Sequence, residues 1–125
     1  MHAGWRGAAA GIVPRAVEHL ACRGLASGLE AVIGPAIAGE RYEVGPEVVE
    51  AFRAAGVPDS AFLCRPPGAH KDHVDVKGAV AWQLAAAGVR QVETLPHCTF
   101  ADRALHSWRR DGPAAGRLAA VIALC

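Results

Sequence analysis

The chain has 125 residues, of which 52% are hydrophobic, and its net charge at pH 7 is +1. This length suits a single domain, residues 1–125, with a buried core, and the near-neutral charge gives no electrostatic case for binding nucleic acid. No apolar run approaches the roughly 20 residues that cross a membrane. No secretory signal accompanies the four cysteines, so we expect a cytoplasmic protein with reduced thiols.

Hydrophobic spacing and turn residues predict two helices and a strand in the first half of the chain. Residues 12–22 place apolar side chains on one helical face, and residues 30–34 read as a short strand that ends in Gly-Pro. Residues 36–43 show no clear period and predict a loop or an extended crossing. A second helix is predicted over residues 45–56, because proline is favoured at a first helical position and glycine after the last.

The second half alternates strand and helix patterns around two loops. Residues 61–64 and 73–76 predict strands, separated by a proline- and glycine-rich loop, and residues 77–87 predict a third helix. A further strand is predicted over residues 91–95.

The last part of the chain contrasts a polar stretch with an apolar end. Residues 96–116 form a long polar stretch of the kind that is often functional, and residues 118–124 predict a buried strand because they are nearly all apolar. Together the elements predict an α+β fold (α/β layered), in which mixed β-sheets are flanked by helices.

The opening stretch, residues 2–7, combines several side chains suited to a site. His2 can bind a metal or exchange a proton near neutral pH, and Arg6 offers a planar fork for phosphate or carboxylate. Trp5 supplies a large aromatic body between two glycines. We expect this stretch to lie directly before the first helix, where free N–H groups favour anions.

Short motifs that follow one another from the start of the chain to its end carry a family resemblance. They are His2-Ala3-Gly4-Trp5-Arg6-Gly7, Ile33-Gly34-Pro35-Ala36-Ile37, Tyr42-Glu43-Val44-Gly45, Asp75, Gln83-Leu84, Cys98-Thr99 and Ser107-Trp108-Arg109-Arg110-Asp111-Gly112. In this order they resemble the YfiH family, whose members are also called laccase-domain or polyphenol-oxidase-like proteins. The resemblance implies an α/β/β/α sandwich, of which this chain is the C-terminal portion and therefore incomplete.

The resemblance also implies an activity. Members of the family are read as zinc-dependent purine nucleoside phosphorylases, which split adenosine, inosine or methylthioadenosine with phosphate, and it further implies adenosine deaminase activity. The expected partners are thus a purine nucleoside and phosphate. Two alternatives remain open: a non-catalytic half-domain that self-associates or needs the missing N-terminal half, and a copper-dependent polyphenol oxidase (laccase). Several copper centres would need many paired histidines, whereas the six present are scattered.

The resemblance assigns a metal role to His2, as the last of three zinc ligands whose other two lie in the half that this chain does not contain. A catalytic zinc usually needs three protein ligands. His97 and Cys98 are adjacent and should point to opposite faces of an extended chain. His70 and His73 could converge, but solvated loop histidines are the simpler interpretation.

Phosphate and substrate roles are expected of several further residues. Arg6, Arg109 and Arg110 are the phosphate candidates, since cationic groups can hold the nucleophile and stabilise charge. The candidates matched to other family motifs are Tyr42 for stacking on a base, Glu43 as a general acid or base, Asp75 in a catalytic or helix-capping role, and Cys98, with Trp5, at the substrate.

The match to the family pattern is imperfect in places. Val80 stands where the family usually has asparagine, and His106 replaces a usual aromatic residue. Residues 113–117 are longer than the family's compact Thr-Gly-Arg and lack its threonine. These departures concern the last loop more than the fold.

Overall fold

The structure is a computed structural model that describes residues 1–25 and 27–122. Its helices are α1 (Trp5–Ala9), α2 (Ile12–Ala21), α3 (Pro46–Ala54), α4 (Asp59–Phe62), α5 (Val76–Ala86) and α6 (Trp108–Asp111). Its strands are β1 (Glu30–Ile33), β2 (Leu63–Cys64), β3 (His73–Val74) and β4 (Gln91–Thr94). Two short 3-10 turns cover Gly39–Arg41 and Gly112–Ala114. Among these described helices, none is long and apolar enough to cross a membrane.

Two small sheets organise the strands. β1 and β4 pair in parallel, with Glu30 opposite Gln91 and Ile33 opposite Thr94, and an isolated parallel bridge between Ala36 and Cys98 continues this pairing. β2 and β3 pair antiparallel. The mixture of parallel and antiparallel strands with packed helices confirms the predicted α+β class.

The core lies between the helices and one face of each sheet. Its largest fully buried side chains include Phe52 of α3 and Phe62 of α4, whose ring centroids lie 5.1 Å apart. Val13, Val74 and Ala79 are also completely buried and join α2, β3 and α5 to this cluster. Burial of these apolar side chains is the main stabilising contribution to the fold.

The second half of the opening stretch, from Trp5 onward, is helical. It was expected to precede the first helix, but residues 5–9 form α1, which packs against α3 and α5. The buried Gln83 of α5 donates from Nε2 to the Ala8 carbonyl at 2.9 Å and so joins the two helices. Gly11, at φ 78°, separates α1 from α2. Glycine is favoured at such an angle because it has no Cβ.

Most predicted elements are found within one or two residues of their expected ends. The strand expected over residues 61–64 is only partly correct, because Asp59–Phe62 turns helical to bury Phe62 and leaves two residues for β2. The strand expected over residues 73–76 is shortened, since α5 already begins at Val76. The polar stretch of residues 96–116 contains α6 and a 3-10 turn.

The strand expected over residues 118–124 is wrong where the structure describes it. Residues 118–122 have no regular structure, and Leu118, Val121 and Ile122 are 47%, 95% and 77% exposed. No described strand lies beside them to accept their backbone hydrogen bonds. Residues 123 and 124 lie outside the described part of the chain.

Candidate functional site

The segment Tyr42–Val44 is fixed on the edge of β3. The N–H of Val74 donates to the Tyr42 carbonyl at 3.1 Å, and the N–H of Val44 donates to the Asp72 carbonyl at 2.9 Å. Glu43 and His73 form the antiparallel bridge between them. The backbone on both sides of the Glu43 side chain is therefore held by a strand that is itself part of the core.

Arg109 brings α6 onto this segment. Its guanidinium carbon lies 4.7 Å from the centroid of the Tyr42 ring, and its Nη1 donates to the Glu43 carbonyl at 2.7 Å. A cation over an aromatic face is attracted by the ring quadrupole. Three residues singled out from two separate motifs thus meet at one place, and one of the five N–H groups of Arg109 is used to tether it.

Two neighbours complete the group. Lys71 Nζ lies 3.0 Å from Glu43 Oε1, and His73 Nδ1 lies 3.1 Å from the Lys71 carbonyl. Because a carbonyl can only accept, Nδ1 of His73 donates in this contact. We refer to Tyr42, Glu43, Lys71, His73 and Arg109 as the Tyr42 cluster.

Sequence reasoning missed Lys71 and placed His73 only among the metal candidates. Lys71 ends a loop without a recognisable motif, and its contact with Glu43 depends on the pairing of two segments 28 residues apart. Such a pairing cannot be read from hydrophobic periodicity. One signal for them was present in the sequence: Lys71 and His73 stand two residues apart, directly before the matched Asp75, as side chains on one face of an extended chain do.

The charges of the cluster act on Glu43. The hydrogen bond and positive charge of Lys71 lower the pKa of the Glu43 carboxyl, partial burial opposes this, and the charges of His73 and Arg109 add to the lowering. Hydrogen bonds and opposite charges favour the ionised form of a carboxyl. Glu43 is therefore an anion at neutral pH, which is suited to accepting hydrogen bonds and unsuited to donating a proton.

Arg110 faces away from this chemistry. All three nitrogens of its guanidinium donate to groups of the loop that contains it, including the carbonyls of Thr99 and Leu105 at 2.7 Å each. Its fork also holds both carboxylate oxygens of Asp111 at 2.7 Å, which lowers the pKa of Asp111. The structure leaves no open fork on Arg110 for phosphate.

Trp5 and Arg6 form a second pair of this kind. The Arg6 guanidinium carbon lies 4.4 Å from the Trp5 ring centroid, Trp5 is half-buried against the core, and Arg6 is exposed. Within residues 1–25 and 27–122, no hydrogen bond or ion pair links Arg6 to the Tyr42 cluster. α1 nevertheless packs on α3, the helix that follows Val44.

His2 is exposed, and a Cβ on Gly4 would lie 3.2 Å from its Nε2, so the glycine leaves room for the ring. Among the described residues, no group of three His, Cys, Asp or Glu side chains is placed to hold a metal ion. A single imidazole does not fit the requirement of a zinc site for three protein ligands. The described residues alone therefore do not fit zinc.

Asp75 stands at the N-terminus of α5 but makes no capping hydrogen bond with its side chain. Its Oδ1 is buried without a partner, while its N–H donates to the Phe62 carbonyl at 2.7 Å. The expected capping role is therefore not seen. Instead, Asp75 packs with Cys64 around Gly39, where no side chain would fit.

Cys98 lies at the end of the β1–β4 pairing. Its Sγ accepts the N–H of Ala38 at 3.2 Å. Burial alone would raise the pKa of the Cys98 thiol, but surrounding backbone N–H groups, led by that of Ala38, lower it below its ordinary value. The thiolate therefore forms more readily at Cys98 than at a cysteine without these N–H contacts.

An open hollow of about 420 Å³ lies beside α6 and is lined by Arg103, His106, Arg110 and Asp111. None of these residues belongs to the Tyr42 cluster. The cluster is instead an exposed surface, and this chain would cover only one side of a substrate that is bound there.

Comparison with known proteins places the chain. Its residues 1–125 match the family described as "Multi-copper polyphenol oxidoreductase laccase". The chain belongs to this family. It is 39% identical over 125 residues to a purine nucleoside phosphorylase of Deinococcus radiodurans, a match that covers 98% of this chain and 47% of that protein. It is 36% identical over 120 residues to a protein named adenosine deaminase RL5 from an unknown prokaryotic organism, covering 93% of this chain and 46% of that protein.

A solved structure shows the same fold. The hypothetical protein YfiH of Bacillus licheniformis superimposes with a TM-score of 0.76 at 32% identity, over 87% of this chain and 43% of that chain. The family resemblance and the fold expected from it are thereby confirmed. The chain spans about half the length of the curated relatives that it matches.

Proposed function

We propose that this chain supplies part of the active site of a purine nucleoside phosphorylase. The observation that carries the proposal is the match over 98% of the chain to a relative that bears this name. The substrates would be phosphate and adenosine, inosine or methylthioadenosine. An oxygen of phosphate attacks C1′ of the sugar, the bond from C1′ to the base nitrogen breaks, and the base leaves with a proton while the 1-phosphate of the sugar forms.

The Tyr42 cluster supports a role in binding this substrate pair. Arg109 keeps four N–H groups that are not used by its tether to Glu43, and a guanidinium fork matches phosphate geometry. Tyr42 holds that guanidinium on its ring, and the stacked pair offers a flat surface for a purine base. Lys71 adds a second cation beside the same segment.

Glu43 enters the proposal as an anion. Positive charge develops on the ribose as its bond to the base breaks, and a fixed carboxylate stabilises such charge. Its lowered pKa favours this role or that of a hydrogen-bond acceptor over that of a general acid. Arg6, on its Trp5 support, is proposed as a second contact for phosphate.

Zinc remains a proposal for the completed protein. His2 would be one ligand, and the others would come from the half of the family fold that lies outside this chain. This proposal includes the alternative of a half-domain that is non-catalytic alone, since a shared site is inactive until both halves are present. The relative named adenosine deaminase supports deamination as a second activity. No described contact favours a copper-dependent oxidase.

The test is phosphorolysis of inosine. This chain is mixed with the part of the Deinococcus radiodurans relative that lies outside the match, and release of hypoxanthine is followed with and without phosphate. We expect phosphate-dependent release, reduced about a hundredfold in kcat/KM by Arg109→Met because a charge-stabilising donor is lost. Arg15→Gln, which removes an exposed cation on α2, is the matched control. Release that is independent of phosphate, or equal in both variants, would refute the proposed function.

A further inference from the structure

The side chain of Arg110 makes several hydrogen bonds that play no part in the proposed chemistry. Its Nη1 donates to the carbonyls of Thr99 at 2.7 Å and Asp102 at 3.0 Å, and its Nη2 donates to Leu105 at 2.7 Å. These acceptors span seven residues of the loop before α6. One side chain therefore closes the loop into a compact turn, in place of the regular pairing that the loop lacks.

Asp111 ties the same guanidinium to the start of α6. Both of its carboxylate oxygens accept from Arg110 at 2.7 Å, and its N–H donates to the Ser107 carbonyl at 2.8 Å. Ser107 is only 5% exposed, so this end of the helix is anchored. We call the Arg110–Asp111 pair with its bound carbonyls the loop clasp.

α6 connects the loop clasp to the Tyr42 cluster. α6 has four residues, too few to be stable without support, because helix formation has a costly nucleus. Arg109 lies in the same turn as Arg110 but reaches out to Tyr42 and the Glu43 carbonyl. A turn that is fixed by one arginine thus presents the other at the Tyr42 cluster.

We infer that Arg110 is a positioning residue, whose loop clasp holds Arg109 in register against Tyr42. This role differs from that of a phosphate ligand, which was expected for both arginines of the pair. It rests on the proposed function only in that Arg109 is taken to contact substrate. The positioning itself is a property of the folded chain and can be tested without any turnover.

Tyr42 is the only tyrosine in the chain, so its ring signals can be observed alone by NMR after ¹³C-tyrosine labelling. Removing the charge that lies over the ring changes its electronic surroundings, and Arg109→Met should therefore shift these signals. We expect Arg110→Met to shift them in the same direction, by at least half as much, although none of the hydrogen bonds or cation–π contacts among the described residues joins Arg110 to Tyr42. Arg110→Lys, which keeps some of the carbonyl contacts, should give an intermediate shift.

Arg103→Met is the matched control, because Arg103 lies in the same loop and is exposed. Its Tyr42 signals should coincide with those of the unmodified chain. Signals of folded Arg110→Met that also coincide with the unmodified chain would overturn the inference. If Arg110→Met does not fold, Asp111→Asn decides: a smaller shift in the same direction supports the positioning role, and no shift overturns it. If the unmodified chain with its added half does not catalyse phosphorolysis, but the Tyr42 signals of the variants shift as predicted, only the proposed function is refuted.

Discussion

The carboxylate of Glu43 lies against Lys71, and this contact controls its protonation. Folding lowers the pKa of Glu43, so the contact stabilises the fold above the unfolded-state pKa and the benefit disappears as the pH falls through the folded-state pKa. Lys71→Met should raise the Glu43 pKa towards its ordinary value. Carboxyl-carbon NMR over an acid titration measures it.

The stability of the Lys71→Met variant should follow from the same linkage. We expect it to unfold at a lower temperature than the unmodified chain at pH 7, and at the same temperature once Glu43 is protonated in both. Arg15→Gln serves as the control for a change in net charge. An unchanged Glu43 pKa in Lys71→Met would show that the ion pair does not form in solution.

Cys98 and Cys64 make an internal comparison of thiol reactivity. Backbone N–H groups lower the pKa of the Cys98 thiol despite its partial burial, whereas burial, with the nearby charges of Asp75 and Glu40, raises the pKa of the Cys64 thiol. Because the thiolate is the nucleophile, alkylation by iodoacetamide should begin at lower pH for Cys98. Peptide mass spectrometry resolves the two sites. A higher midpoint for Cys98 than for Cys64 would contradict these environments.

The individual residues show where prediction from the sequence succeeds. Tyr42, Glu43 and Arg109 were selected by motif, and the structure brings them into contact. Arg110 was selected for the same reason, but adjacency in sequence hides the fact that the two arginines point to different partners. Lys71 was not selected, since its contact depends on the pairing of Glu43 with β3.

Among the structural elements, the turn at Gly39–Arg41 has a packing requirement that the sequence does not reveal. A Cβ on Gly39 would lie 2.6 Å from Cys64 Sγ and 2.8 Å from Asp75 Cβ. Gly39→Ala should therefore destabilise the chain by about 1–3 kcal/mol, the usual cost of overpacking, as measured by urea denaturation. Gly34→Ala is the control, because nothing lies within 4 Å of its Cβ position and its φ is not positive. Equal stability of the two variants would show that this junction is loosely packed.

The helices and longer strands were predicted because their periodicity and their proline and glycine boundaries agree with the fold. The failures have a common physical cause. α1, α4 and α6 are too short to show a period, and each is stabilised by contacts distant in sequence, such as that of Gln83 with Ala8. Residues 118–122 have the composition of a buried strand but no described partner strand to pair with.

The whole molecule presents a sheet with one uncovered face. Ala31, Ile33 and Val92 pack on the core, while Val32 on the opposite face is 48% exposed. Parallel sheets are almost always covered on both faces, and the relatives are about twice as long as this chain. These observations agree with a fold that is completed by further residues.

The proposed completion of the fold by a second half can be tested by hydrogen exchange. Adding the part of the Deinococcus radiodurans relative outside the match should slow exchange in residues 30–33, 91–94 and 118–122, because their open faces and edges become covered. α3, already buried against the core, is the internal control and should not change. Identical exchange with and without the added half would mean that these surfaces are not its docking site.

The most direct test of the account is whether the Tyr42 cluster binds the nucleoside. The chain, labelled with ¹³C-tyrosine, is mixed with the unlabelled half of the relative, and inosine is titrated while the Tyr42 ring signals are observed. We predict a saturable shift of these signals that is lost in Arg109→Met and retained in Arg15→Gln. Tyr42 signals that stay unmoved while the same mixture converts inosine to hypoxanthine would show that the substrate binds elsewhere.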